Sequence, residues 1–215
     1  MAMLDFHITI NSYNRPEMLT NLLDQINKER GSYSVAVKVY LDGCDYGIEP
    51  REYEDFEVTT HHGREEYYKL IMRNFHEPPK AKYYLKLDDD LNLTPHFFRN
   101  CLMHWHSEKE PPLTLTLLKC NRTSMWDSDD PIEVNSLVED TNWVDLIFMF
   151  DVKFLRMVYA LHLQPPVVTS SSGVARQITR HLRGNAKMYR VLNSLVTHGD
   201  HDSQMNTGRK EKLVG

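Results

Sequence analysis

The run Lys82-Tyr83-Tyr84-Leu85-Lys86-Leu87-Asp88-Asp89-Asp90 constrains this chain most, because it alternates like a strand and ends in three carboxylates. A period of two places Tyr83, Leu85 and Leu87 on one face and Tyr84, Lys86 and Asp88 on the other. Asn92, Thr94 and Pro95 then predict a turn, with Thr94 capping a helix and Pro95 as its first residue. Carboxylates crowded at the end of a strand are costly unless a cation offsets them. Hard oxygen ligands suit Mn2+ or Mg2+, which take one or two carboxylates and complete their shells with substrate phosphates. The sharp reading is a metal-diphosphate site; the plain one is a solvated acidic turn. An EF-hand loop is excluded, since Leu93 and Arg99 stand where it needs Gly and Glu.

The rest of the chain alternates strand-like and helix-like runs. Phe6–Ile10 reads as a strand, and Pro16 opens a helix whose stripe is Met18, Leu19, Leu22, Leu23 and Ile26, ending near Gly31. Val35–Leu41 and Phe56–Thr60 read as strands, and Tyr67, Leu70, Ile71 and Phe75 fall at helical spacing. Leu113–Leu118 reads as a strand, residues 121–141 as a long polar loop, and Val144–Phe150 as an apolar strand. Val152–Leu161 and the stretch from Ser170 to about Arg183 read as helices, and Tyr189–Val196 as a last strand. Such alternation predicts an α/β fold with a mainly parallel sheet.

Ligands of these sheets bind beyond the carboxyl ends of the strands. Four polar stretches fall there: Ser12-Tyr13-Asn14-Arg15, Asp42-Gly43, His61 to Arg64, and Asp88 to Asp90. Their common location points to a nucleotide.

The chain of 215 residues fits one domain with a nucleotide-binding part at about 1–90 and an acceptor-side part at about 91–215. No apolar run approaches the length of a membrane span. Met1-Ala2-Met3-Leu4-Asp5 lacks the regions of a signal peptide, and Cys44, Cys101 and Cys120 lack metal or redox spacing, so the expected compartment is the cytoplasm. Cys101 and His104 share a helical face without further ligands, which argues against zinc. The net charge of −5 is uneven: from Lys153 onward there are ten Lys/Arg against three Asp/Glu. Arg176, Arg180 and Arg183 fall on one helical stripe near Lys187 and Arg190, either a solvated face or a surface for an anionic partner.

Ile8-Thr9-Ile10-Asn11-Ser12-Tyr13-Asn14-Arg15-Pro16, Asp42, Gly63-Arg64 and Asp88-Asp89-Asp90 together resemble the GT-A glycosyltransferases, especially the family-2 type. The resemblance implies a Rossmann-like α/β/α sandwich and a nucleotide-sugar donor, UDP-sugar foremost. It implies that Ser12, Tyr13, Asn14 and Arg15 hold the base and ribose, with Asp42 near the base. Gly63 and Arg64 would approach the diphosphate and sugar. Asp88-Asp89-Asp90 looks like the DxD motif, with Asp88 toward ribose and metal, Asp89 within the donor-binding set, and Asp90 the main ligand of Mn2+ or Mg2+. A late histidine often completes that metal site, a position His198 fits, with His201 as runner-up.

One departure stands out. The family usually carries an acidic pair before the late helix, where this chain has Ser170-Ser171-Ser172-Gly173. Inverting transfer needs a base for the acceptor hydroxyl, and Asp145, beside Trp143, is the substitute candidate. Ser172, Arg176 and His201 are candidate contacts to acceptor or phosphate, the helix start offering free N–H groups. The acceptor is either a glycan or an anionic polymer such as hydroxymethylated DNA. The rivals are a nucleotidyltransferase, disfavoured because Asn11 to Pro16 contains no glycine, and a non-catalytic nucleotide-sugar-binding module.

Overall fold

The computed structural model describes residues 3–76, 78–119, 137–142, 144, 147–159, 173–184 and 186–199. The first half is β1 (Leu4–Ser12), α1 (Pro16–Glu29), β2 (Val35–Asp42), β3 (Glu54–Thr59), α2 (Gly63–Arg73) and β4 (Ala81–Asp88). Then come β5 (Leu91–Leu93), α3 (Phe97–Trp105), β6 (Thr114–Thr116), β7 (Val138–Asp140), β8 (Phe148–Phe150), α4 (Val152–Tyr159), α5 (Val174–Leu182), β9 (Met188–Val191) and β10 (Val196–His198).

Eight strands form one sheet in the order β3-β2-β1-β4-β8-β6-β9-β7, and β5 pairs with β10 in a separate ribbon. The block β3-β2-β1-β4 is parallel throughout, as is β6 with β9, while β8 runs antiparallel to both its neighbours. The chain steps outward from β1 to β2 and β3, then returns to place β4 on the other side of β1. The strand order therefore reverses between β1 and β4, the place where open α/β sheets bind their ligands.

Each sheet face buries its own apolar set. Phe6, Ile8 and Ile10 of β1 and Leu85 and Leu87 of β4 pack with Leu19, Leu22 and Ile26 of α1 and with Phe97, Phe98 and Trp105 of α3. On the other side Tyr84, Phe148 and Phe150 join Phe154 and Val158 of α4 and Ile178 and Leu182 of α5. Below β1 and β2 that second face is polar: His7, Thr9, Asn11 and Asp42 are buried there.

Three expectations need correction. The helix after the carboxylate run begins at Phe97, behind a left-handed His96 (φ 60°), and not at Thr94-Pro95. Leu91–Leu93 is taken up as a strand, and the Thr94 hydroxyl donates to the Leu195 carbonyl at 3.0 Å, so tertiary pairing claims the residues that look like a cap. The expected strand Tyr189–Val196 is likewise two strands in two sheets. The Leu195 N–H leaves the line to meet the Leu117 carbonyl at 2.9 Å before β10 begins. Val138–Asp140, expected as loop, forms an edge strand on β9.

Candidate functional site

The carboxyl ends of β1 and β4 carry the densest polar network. In register Asn11 lies beside Asp88, so Ser12 and the carboxylate run leave the sheet together. The chain turns at Asp89-Asp90 instead of staying extended, which separates the three carboxylates. Asp88 pairs with the ammonium of Lys86, whose side chain is fully buried. Asp89 turns inward, where its carboxylate accepts from the Ser12 hydroxyl at 2.7 Å and from Arg15 at 3.2 Å. Asp90 accepts from Arg15 on Oδ2 at 2.9 Å, and its Oδ1 faces Nδ1 of His198 at 3.3 Å.

The ribbon of β5 and β10 makes this last contact possible. Its antiparallel register sets His198 opposite Leu91, and the Gly199 N–H donates to the Asp90 carbonyl at 2.8 Å. Burial opposes ionisation of Asp90, but His198 and Arg15 outweigh it and hold the carboxyl below the usual carboxylate range. Asp89 goes the other way: burial, with Asp88 and Asp90 adding, pushes it up to about 6 against the pull of Ser12 and Arg15.

Asp42 ends β2 and is buried. Its carboxylate accepts from the His62 backbone N–H at 2.9 Å and faces Nδ1 of His62 at 2.9 Å and of His61 at 3.2 Å. Gly43 is required for this arrangement. Its φ is +87°, and a Cβ there would stand 2.6 Å from Cβ of His61. The exposed Tyr13 ring stacks on His61 with centroids 4.6 Å apart, so the loops after β1, β2 and β3 meet at one point. Asn14 sits beyond Tyr13 in the left-handed region (φ 53°), and Gly63 does so at the start of α2 (φ 59°), with Arg64 in the first turn.

The described candidates thus gather at one edge: Ser12, Tyr13, Asn14 and Arg15 at the end of β1 and beyond it, Asp42 at the end of β2, Gly63 at the start of α2, Asp88 to Asp90 at the end of β4 and beyond it, and His198 on β10. Arg176 lies in the first turn of α5. Asp145, Ser172 and His201 lie outside the described residues. Arg183 follows the last residue of α5, Arg190 is paired with Glu139, and Lys187 lies 3.7 Å from Glu110, so the basic stripe is partly neutralised.

Several residues at this edge escape a reading by motif. Lys86 is one, although its spacing of two from Asp88 already puts both on one strand face. Tyr46 is another: its hydroxyl accepts from the Arg15 N–H and lies against the Ser12 hydroxyl oxygen, both at 3.3 Å. Tyr67 of α2 has its phenol held protonated by burial and by the nearby Asp88, Asp89 and Asp42. Helical periodicity counts Tyr67 as an apolar position and misses it.

Among the described residues no three His, Cys, Asp or Glu side chains converge as a closed metal cage. Asp90 and His198 supply an oxygen and a nitrogen donor side by side that could hold an ion of the Mn2+ or Mg2+ kind, with phosphate oxygens and water completing its shell.

No protein-family model matches the chain, and no curated protein matches it in sequence. Solved structures do match in fold. GalNAc-T7, determined with UDP, GalNAc and Mn2+, superposes with a TM-score of 0.60 at 10% identity over 91% of this chain. The chain spans 44% of that protein's length. A mannosyltransferase from Pyrobaculum calidifontis, determined with GDP-Man and Mn2+, overlaps 56% of this chain and 37% of its own at 14% identity, with a TM-score of 0.41. That second overlap is too partial to build on. The architecture is the GT-A fold, a mainly parallel α/β sheet whose strand order reverses between β1 and β4.

Proposed function

We propose that the chain is a metal-dependent glycosyltransferase that moves a sugar from a nucleotide-diphosphate donor, UDP-sugar foremost, to an acceptor hydroxyl. The observation that carries this reading is the Asp90–His198 pair, 3.3 Å apart at the strand-order reversal of a GT-A sheet. Asp90 and His198 would hold Mn2+ or Mg2+, and the bound ion would offset charge developing on the departing diphosphate.

The remaining roles follow from position. Tyr13, stacked on His61, offers a flat surface for the base. Asp42, fixed by two histidines, stands beside it as an acceptor. Ser12 and Asn14 line the turn toward the ribose, and Asp88, held by Lys86, sits at the ribose side of the carboxylates. Arg15, anchored on Asp89 and Asp90, is the proposed cation for the diphosphate, and Gly63 and Arg64, the first residues of α2, are the proposed contacts to diphosphate and sugar. Asp145, three residues before β8, is the proposed base, and Ser172, Arg176 and His201 the proposed acceptor-side contacts.

The acceptor reading leans to a neutral glycan over hydroxymethylated DNA. Glu139 on Arg190 and Glu110 near Lys187 remove part of the charge that a polyanion would use. The cytoplasm is the proposed compartment, and no described helix is long and apolar enough to cross a membrane. The reading is tested by screening UDP- and GDP-sugars for Mn2+-dependent thermal protection, then assaying release of the nucleoside diphosphate with candidate acceptors. Protection by a nucleotide sugar without any transfer or hydrolysis would favour a binding module.

A further inference from the structure

Residues 152–199 contain seven Lys/Arg and no Asp or Glu, in a chain whose net charge is −5. α4, α5 and β9 lie within that stretch, and strand pairing carries much of its charge to one end of the fold. Tyr84, Phe150, Thr114 and Met188 stand side by side across β4, β8, β6 and β9. β4, β6 and β9 therefore start, and β8 ends, at the amino edge of the sheet. α4 leaves that edge directly after β8, and α5 brings the chain back to it before β9. The carboxylates lie at the opposite edge: β1 alone, from Leu4 to Ser12, spans roughly 26 Å at the usual rise.

Five exposed cations lie at or near this edge. Lys80 precedes β4, Lys153 and Arg156 are on α4, Arg180 is in the last turn of α5 and Arg183 follows it. Among the described residues none of the five is in an ion pair. The acids here face other groups: Asp5 pairs with Lys82 at 2.7 Å, Glu110 and Glu108 act on Lys187, and Asp151 accepts from the Lys153 backbone N–H at 2.8 Å. Two apolar side chains stand exposed beside the cations. Met3, ahead of β1, is 55% exposed, and Val152, the first residue of α4, is 43% exposed.

This mixture narrows the partner. Any polyanion would satisfy the cations, but the sugar-phosphate backbone of a nucleic acid gives Met3 and Val152 nothing to bury against. Phe154 of α4 and Tyr189 of β9 are themselves buried and cannot stack on bases. An anionic bilayer meets both demands, since its headgroups attract the cations and its acyl boundary takes the apolar side chains.

We propose that the amino edge, with the adjoining exposed residues of α4 and α5, docks the chain on an anionic membrane surface. The edge that carries Asp90 and His198 then faces away from the bilayer. The docking surface stands on its own residues and needs neither metal nor nucleotide.

The test is co-sedimentation of the full chain, in EDTA, with vesicles of phosphatidylcholine alone and of phosphatidylcholine mixed with phosphatidylserine, at low and moderate salt. Binding should require phosphatidylserine and weaken as salt rises. Arg180→Gln with Arg183→Gln should weaken it at least about tenfold, at roughly fivefold for each cation removed. Arg180→Lys with Arg183→Lys should retain it. Lys153→Gln with Arg156→Gln, on the other helix, should give the same loss and keeps the test decisive if the first pair disturbs α5. Val152→Ser should weaken binding without changing its salt dependence. Asp90→Ala should sediment like wild type, which separates this surface from the transferase reading. No binding to either vesicle, equal binding to both, or wild-type binding in both Gln pairs would overturn the proposal. So would transfer of the chain from the anionic vesicles to an equal charge of duplex DNA, which would assign the surface to nucleic acid.

Discussion

Asp90 and His198, 108 residues apart in sequence, meet at 3.3 Å because the β5·β10 ribbon lays the end of the described chain against the end of β4. One carboxylate oxygen of Asp90 faces the imidazole, and the other is held by Arg15. Charge at this point is therefore ordered before any ligand arrives, the arrangement expected of a preorganised electrostatic site.

His198→Ala should lower kcat by on the order of 10²-fold, the scale for losing one preorganised contact to developing charge. Stability should change by less than about 0.5 kcal/mol, since the side chain is 40% exposed. Steady-state kinetics and thermal melts check both halves. Full activity here with a dead His201→Ala would move the metal role three residues along the chain.

Lys86→Met removes a fully buried ammonium and leaves Asp88 without its counter-charge. Breaking a pair from one side costs about 3–5 kcal/mol when the stranded charge is buried, and Asp88 is 32% exposed, so the expected loss is about 1–2 kcal/mol. Denaturant titration measures it. The double change Lys86→Met with Asp88→Asn should recover much of the loss, because no charge is then stranded.

How far the residues announced this structure depended on the range of the interactions. β1, α1 and β2 follow from local signals: Pro16 at the first helical position, a stripe through Leu19, Leu22, Leu23 and Ile26, and alternating apolar strands. The carboxylate run was legible because alternation stops abruptly at Asp88. Thr94 misled because Leu195, distant in sequence, takes its hydroxyl. The split between β9 and β10 is equally non-local, resting on Leu117 and Leu91. The inward turn of Asp89 depends on Ser12 and Arg15, which no period in the sequence connects to it.

Gly43→Ala should cost about 1–3 kcal/mol, combining a φ of +87° with a contact 2.6 Å from Cβ of His61. The damage should extend to function, since His61 stacks on Tyr13 and faces Asp42. Weaker nucleotide binding together with a lower melting temperature is the expected pattern. A variant as stable as the parent would show that the loop relaxes around the methyl group.

His7 links stability to pH. Burial, with Lys38 adding, lowers its pKa from 6.5 to about 4. Between those values the unfolded chain binds a proton that the folded chain does not, so stability falls as pH drops from about 6.5 toward 4. Above about 6.5 the contribution is complete and constant. His7→Leu should flatten this part of the stability–pH curve, removing a slope worth up to roughly 3 kcal/mol. An unchanged curve in the variant would assign the acid sensitivity to other groups.

The central claim, that Asp90 anchors a metal which in turn holds a nucleoside diphosphate, is tested most directly by calorimetric titration of UDP and GDP into wild type and Asp90→Ala, each with Mn2+ and with EDTA. The account predicts tight binding of one nucleotide to wild type with Mn2+, binding at least about tenfold weaker in EDTA, and no difference between the two conditions in Asp90→Ala. Metal-dependent nucleotide binding that survives intact in Asp90→Ala would contradict it.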